Sequence, residues 1–184
     1  MNTKTKKLST VSMVLCGMFA ALVAIGAFIQ IPVPYMDYFT LQFFFVLLAG
    51  LILGADKGAI SVGCYVLLGL VGVPIFAAGG GIGYIFRPSF GYLVGFIVSA
   101  YVTGKVCEKL KASYKNYLLA CLAGFVVTYA IGIVYKFIIL NFYAHTPATL
   151  GVIFLSCFPL DMPGDFVLCL LAAGVGLRMR KKRI

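Results

Sequence analysis

From residue 11 to residue 31 the chain reads VSMVLCGMFAALVAIGAFIQI without a single charge. A run of about 20 apolar residues matches the thickness of a bilayer's hydrocarbon core. In lipid every backbone N–H and C=O must bond within its own segment, so such a run has to be a helix. Pro32 and Pro34 then end it, because two prolines two apart cannot continue a helix. Lys4, Lys6 and Lys7 ahead of the run imitate a secretion signal. The run is about twice as long as a signal's apolar core, and no small-residue cleavage site follows it, so we read it as a retained membrane helix.

The pattern recurs down the chain. Hydrophobic residues make up 62% of the 184, charged residues 11%, and the mean hydropathy is +1.08. A soluble domain of this length could not hide so much apolar surface. The sequence therefore predicts one all-α integral membrane domain over residues 1–184. Its six transmembrane helices are expected at about 8–31, 39–54, 59–73, 88–109, 117–142 and 163–177. ADKG (55–58) reads as a tight turn between the second and third helices. VIFLSCF (152–158) reads as a weak apolar piece broken by Pro159 and Pro163, with the sixth helix opening at Pro163.

The net charge of +10 does not point to nucleic acid, because the charge is not spread along a groove. Of the 15 Lys and Arg, all but Arg87 and Lys136 lie at the two termini, at Lys57 or in the loop 105–115. That bias places both termini in the cytoplasm. The loops after helices one, three and five then face outward, and they hold three of the five acids: Asp37, Asp161 and Asp165. The six cysteines form no C-x-x-C pair, and with one histidine no zinc constellation can be drawn. No catalytic triad or paired general acid and base stands out. No nucleotide-binding motif occurs, so the chain is not expected to hydrolyse ATP itself.

The outward side carries the candidate chemistry. Gly79, Gly80, Gly81 and Gly83 leave a bare backbone that either forms a simple outer turn or approaches a ligand closely. Arg87, without basic neighbours, calls for an anion: one of the outward aspartates, or an acidic ligand that its planar fork could grip. Lys136 either snorkels outward or supplies a second cation. Asp165 either caps a helix start or accepts N–H groups from a ligand. On helix one, Gly17, Ala20, Ala21 and Ala24 contain two small-xxx-small spacings, a face that lets another membrane helix come close.

Several stretches carry a resemblance. VPYMDYFTLQFFF, YVLLGLVGVPIF, GGGIGY, PSFGYLVGF and MPGDF, in this order, resemble the BioY family, the biotin-specific substrate-binding (S) components of energy-coupling factor transporters. The resemblance covers most of the chain. It implies six helices, a site near the outer face of a prokaryotic cell membrane, and biotin as the substrate. It also implies a transmembrane coupling subunit and two cytoplasmic ATPase subunits as partners, with no cofactor on this chain. Gln42 of the TLQ piece and Tyr84 of GGGxGY join the substrate-site candidates. The glycine-rich loop would close over biotin and Arg87 would meet its carboxylate. Ala20 and Ala24 match the small-residue contact face on the family's first helix. The chain departs from the family at Leu168, where many members have a lysine after PGD, and at RPSFGY, where many read GPTGGY. Arg87 or Lys136 is left to supply the missing charge, and a related acid such as lipoate is the alternative substrate. A membrane enzyme acting on a lipid acid, with Arg87 and Asp165 catalytic, is the reading from another class.

Overall fold

The computed structural model describes residues 9–31, 39–146, 148–157 and 161–181. The N-terminal lysines, Pro32, Pro34, Asp37, Pro159, Lys182 and Arg183 lie outside them. Ser9 caps the first helix, α1 (Thr10–Phe28), by accepting the Ser12 N–H at 3.2 Å. Strands β1 (Gln30–Ile31) and β2 (Phe39–Thr40) pair antiparallel across the proline-rich connection. The chain continues through α2 (Gln42–Leu53), α3 (Ala55–Leu70) and a 3-10 turn (Ile82–Phe86) to α4 (Phe90–Lys109). Next come α5 (Tyr114–Ile138), which runs on into a π-helical turn (Ile139–Tyr143), α6 (Leu150–Cys157) and α7 (Asp161–Lys181).

Seven α-helices are thus present among the described residues, where the sequence predicted six. The extra one is α6, expected only as a broken apolar piece. Residues 150–157 contain no proline, and the Thr149 hydroxyl accepts the Val152 N–H at 3.4 Å to start the helix. Pro163 does not open α7 but sits third in it, inside the first turn, where backbone N–H groups have no partner in any case. ADKG is not a turn either. Gly54 alone makes the reversal, at φ 85, a left-handed conformation that glycine adopts without steric cost. The first turn of α3 follows at once, with Asp56 near its positive end and Glu108 Oε1 accepting the Ala55 N–H at 2.9 Å. The fourth and fifth helices start at Phe90 and Tyr114 rather than at 88 and 117.

Among the described residues four helices are long and apolar enough to cross a membrane: α1, α4, α5 with its π-turn, and α7. The outer surface of the bundle is correspondingly oily, with Val14, Leu67, Val126, Val134 and Leu171 all exposed. At the centre α4 packs against α2, α3 and above all α5. Their antiparallel contact runs through small residues. A side chain at Gly124 would strike the Ser99 and Thr103 hydroxyls, and one at Gly132 would strike the Tyr92 ring. Small residues at such crossings bring membrane helices into direct backbone contact.

Replacing Gly124 with valine should therefore force α4 and α5 apart and destabilise the protein by roughly 1–3 kcal/mol, the usual cost of overpacking. Gly17→Val, where nothing lies within 4 Å, is the control and should change stability little. Thermal unfolding in detergent checks the pair. Equal melting of the two variants would refute the close packing.

Candidate functional site

The α2 N-terminus, the α3–α4 link, the first turns of α4, the second half of α5 and the first turn of α7 meet at one end of the bundle. They enclose about 840 Å³ of atom-free space, the open mouth included. Apolar and aromatic walls come from Phe39, Phe43, Tyr84, Tyr92 and Phe96. Phe43 and Phe96 stack at 5.8 Å, and Phe125 presses on Tyr129 at 4.7 Å from behind. Tyr84 is fixed against Phe76 at 4.6 Å.

Polar groups converge from three helices. The Tyr129 hydroxyl donates to Asp165 Oδ2 at 2.8 Å. Asp161, one turn earlier on α7, also lines the cavity. Lys136 lies on the same face of α5 as Tyr129 and seven residues beyond it, about 10 Å along the axis. It is the only Lys or Arg among the described lining residues. Gln42 is 3% exposed. Its side chain lies beside the Tyr65 hydroxyl, which donates to the Ile75 carbonyl at 3.1 Å and can still accept from Gln42. Gln42 Nε2 makes no hydrogen bond of good geometry among the described residues. A buried amide donor of this kind is costly unless something fills it. The arrangement can hold a small molecule with an apolar body, N–H and C=O groups at its inner end and an anion towards Lys136.

Four of the sequence-predicted residues come together here: Gln42, Tyr84, Lys136 and Asp165. Gly79, Gly80, Gly81, Gly83 and Arg87 are not among the lining residues. The glycine stretch is instead folded back on α3: the Gly81 N–H donates to the Gly69 carbonyl at 2.7 Å, and Gly79 pairs with Phe76. A side chain at Gly80 would strike the Val73 carbonyl. Arg87 is exposed, its guanidinium 5.3 Å from the centre of the Tyr84 ring, on which it rests as a cation over a π face. On α1 the small residues divide. Gly17 and Ala21 face outward, whereas Ala20 is buried at 7% exposure and Ala24 packs against the core.

Sequence reasoning did not single out Tyr92, Tyr129, Phe43 or Phe96. A signal for Tyr129 was present: Phe125, Tyr129, Gly132 and Lys136 recur at helical spacing and put aromatics, a gap and a cation on one stripe of α5. A second cavity, at the opposite end of the bundle, is lined by Leu15, Met18, Leu53 and Met179 with Glu108 at its edge. Its one carboxylate among the described lining residues is already engaged with the Ala55 N–H, and no set of polar groups from the described residues converges there.

Comparison with known proteins places this architecture. The model of the BioY family matches residues 1–183. A probable biotin transporter BioY of Lysinibacillus sphaericus is 40% identical over 177 residues, 96% of this chain and 90% of that protein. The biotin transporter BioY of Thermotoga maritima is 38% identical, over 91% of this chain and 95% of that one. Among solved structures, the S-component for biotin from an ECF-type ABC transporter superposes with a TM-score of 0.82 at 25% identity, covering 98% of this chain and 95% of its own. With a family model spanning nearly every residue and relatives alike over almost their whole length, the chain belongs to the BioY family.

Proposed function

We propose that this chain is the substrate-binding component of a prokaryotic vitamin transporter and that it takes biotin into the cavity at the α4–α5–α7 end. One observation carries the reading: a single cavity sets an ammonium, Lys136, about two helical turns above an acceptor formed by Asp165 and Tyr129. Biotin has matching ends. Its ureido N–H groups suit Asp165, its ureido carbonyl suits the buried Gln42 Nε2, its apolar middle suits the aromatic walls, and its carboxylate suits Lys136. Transport rather than catalysis agrees with the relatives, which are named biotin transporters. In this reading α1–α5 and α7 make the six crossings and α6 lies at the outer surface. A membrane coupling subunit and two ATPase subunits supply the energy, so no cofactor resides on this chain.

Titration of the purified chain with biotin tests the reading directly, and a related amide sharpens it. Lys136→Ala should weaken biotin far more than its uncharged carboxamide, because breaking a desolvated charge-assisted pair on one side costs about 2–5 kcal/mol, roughly 30- to 5000-fold. Arg87→Ala should weaken both little. A Lys136→Ala variant that penalises acid and amide alike, with its melting temperature intact, would remove the carboxylate assignment.

Partner contact is assigned to the outward small residues of α1. Leucine at Gly17 and Ala21 should abolish biotin uptake in cells while the isolated variant still binds biotin, since both positions face away from the bundle. The same change at Ala20 or Ala24 should also lower thermal stability, because those positions pack inward. Loss of binding in the Gly17 and Ala21 variant would show that the face serves the fold instead.

The basic residues Lys57, Lys105, Lys109, Lys111, Lys115 and Arg178 gather at the helix ends remote from the cavity. The positive-inside bias then puts the cavity outside and both termini in the cytoplasm. An epitope tag at either terminus should be reached by antibody only after the cells are permeabilised. Labelling of intact cells at either end would overturn this orientation.

A further inference from the structure

The wall residue Tyr92 reaches beyond the cavity. Its ring passes over Gly132, where any side chain would collide with it, and meets Tyr129 edge-on at 5.8 Å and 77°. Its hydroxyl ends 3.0 Å from the thiol sulfur of Cys157, the last residue of α6. Cys157 is 1% exposed. The rest of α6 lies largely at the surface: Ile153 is its other buried residue, its main neighbour among the described residues is α5, and Leu150, Val152 and Leu155 are exposed. The Cys157–Tyr92 contact therefore ties a short surface helix to a ring that forms the cavity wall, and through Tyr129 to Asp165.

We propose that Cys157 is a positioning residue whose thiol holds the Tyr92 ring in the cavity wall, so that α6 and the cavity close together and the bound molecule leaves only after that contact parts. A hydrogen bond to sulfur is weak, which suits a latch that must open. The proposal rests on the biotin reading only for the identity of the ligand.

The first test needs no ligand. Purified protein is treated with N-ethylmaleimide, and alkylation of each cysteine is followed by mass spectrometry. Tyr92→Phe should raise the rate at Cys157 by roughly two- to tenfold, the range expected for one buried hydrogen bond. Cys121 and Cys169, buried within the bundle, should stay protected. An unchanged rate at Cys157, or equal acceleration at all three, overturns the latch. The second test measures biotin dissociation. Cys157→Ala should speed it several-fold with association little altered, and Cys157→Ser, which keeps a partner for the Tyr92 hydroxyl, should restore the slow rate. Equal dissociation from the alanine and serine variants overturns the positioning role. Failure of the unmodified chain to bind biotin would sink the functional reading instead, leaving the alkylation result to decide the latch.

Discussion

The close approach of α4 and α5 is the contact on which the rest depends. At Gly124 and Gly132 no side chain separates the two helices, and the partner's groups fill the gap. This brings Tyr92 of α4 within edge contact of Tyr129 of α5. Tyr129 in turn reaches Asp165 of α7, and Lys136 follows it on the same stripe. Were the helices a side chain's width further apart, the aromatic wall and the acceptor would no longer share one cavity. Packing of this kind has no hydrophobic driving force in lipid and depends on close van der Waals contact and interhelical hydrogen bonds. Glycines and small hydroxyl side chains therefore line the α4–α5 contact, where Ser99, Thr103 and Thr128 are buried.

A second constraint places the cavity. Non-helical backbone is tolerated at membrane depth only where protein buries it or where it lines a cavity. The connection between α3 and α4 meets that demand by bonding to itself and its neighbours. Gly81 bonds to Gly69, Phe76 pairs with Gly79, the Tyr65 hydroxyl takes the Ile75 carbonyl, and the Tyr135 hydroxyl takes the Ile85 carbonyl. The connection so held brings Ala77, Ala78 and Tyr84 to the cavity.

This explains which parts were legible in the sequence. Long uncharged runs announce helices whatever their neighbours do, and α1, α4, α5 and α7 were read within a few residues. α6 was missed because Pro159 and Pro163 obscured an eight-residue helix too short for a periodic signal. Gln42, Tyr84, Lys136 and Asp165, which line the cavity, stood out because a polar or motif residue in an oily chain is conspicuous. The glycines and Arg87 were conspicuous too, yet their geometry differs for a reason invisible in one dimension. A glycine-rich segment can fold onto its own chain as readily as onto a ligand, and a guanidinium at an exposed turn can rest on a tyrosine face. Lys136 could not be told from a snorkelling lysine, because the side it faces is set by how α5 rotates against α4. Tyr92 and Tyr129 look like ordinary core aromatics until the third dimension brings their hydroxyls to Cys157 and Asp165.

In the proposed mode of binding, selectivity and affinity reside in different parts of the cavity. The aromatic middle and Lys136 would accept any acid with an apolar chain, since a hydrophobic wall discriminates poorly between similar shapes. The inner end is different. One oxygen of Asp165 is taken by Tyr129, and the Gln42 amide N–H group makes no well-formed hydrogen bond among the described residues. Lipoate has the carboxylate and the apolar chain but no ureido group. Entering, it would displace water from both inner groups without replacing its hydrogen bonds, at about 1–3 kcal/mol for each neutral group and more for an ionised one. Biotin, carrying N–H and C=O together on one rigid ring, satisfies both at once. In that mode discrimination between the two acids would rest on Asp165 and Gln42 rather than on the cation, which meets the group the two acids share.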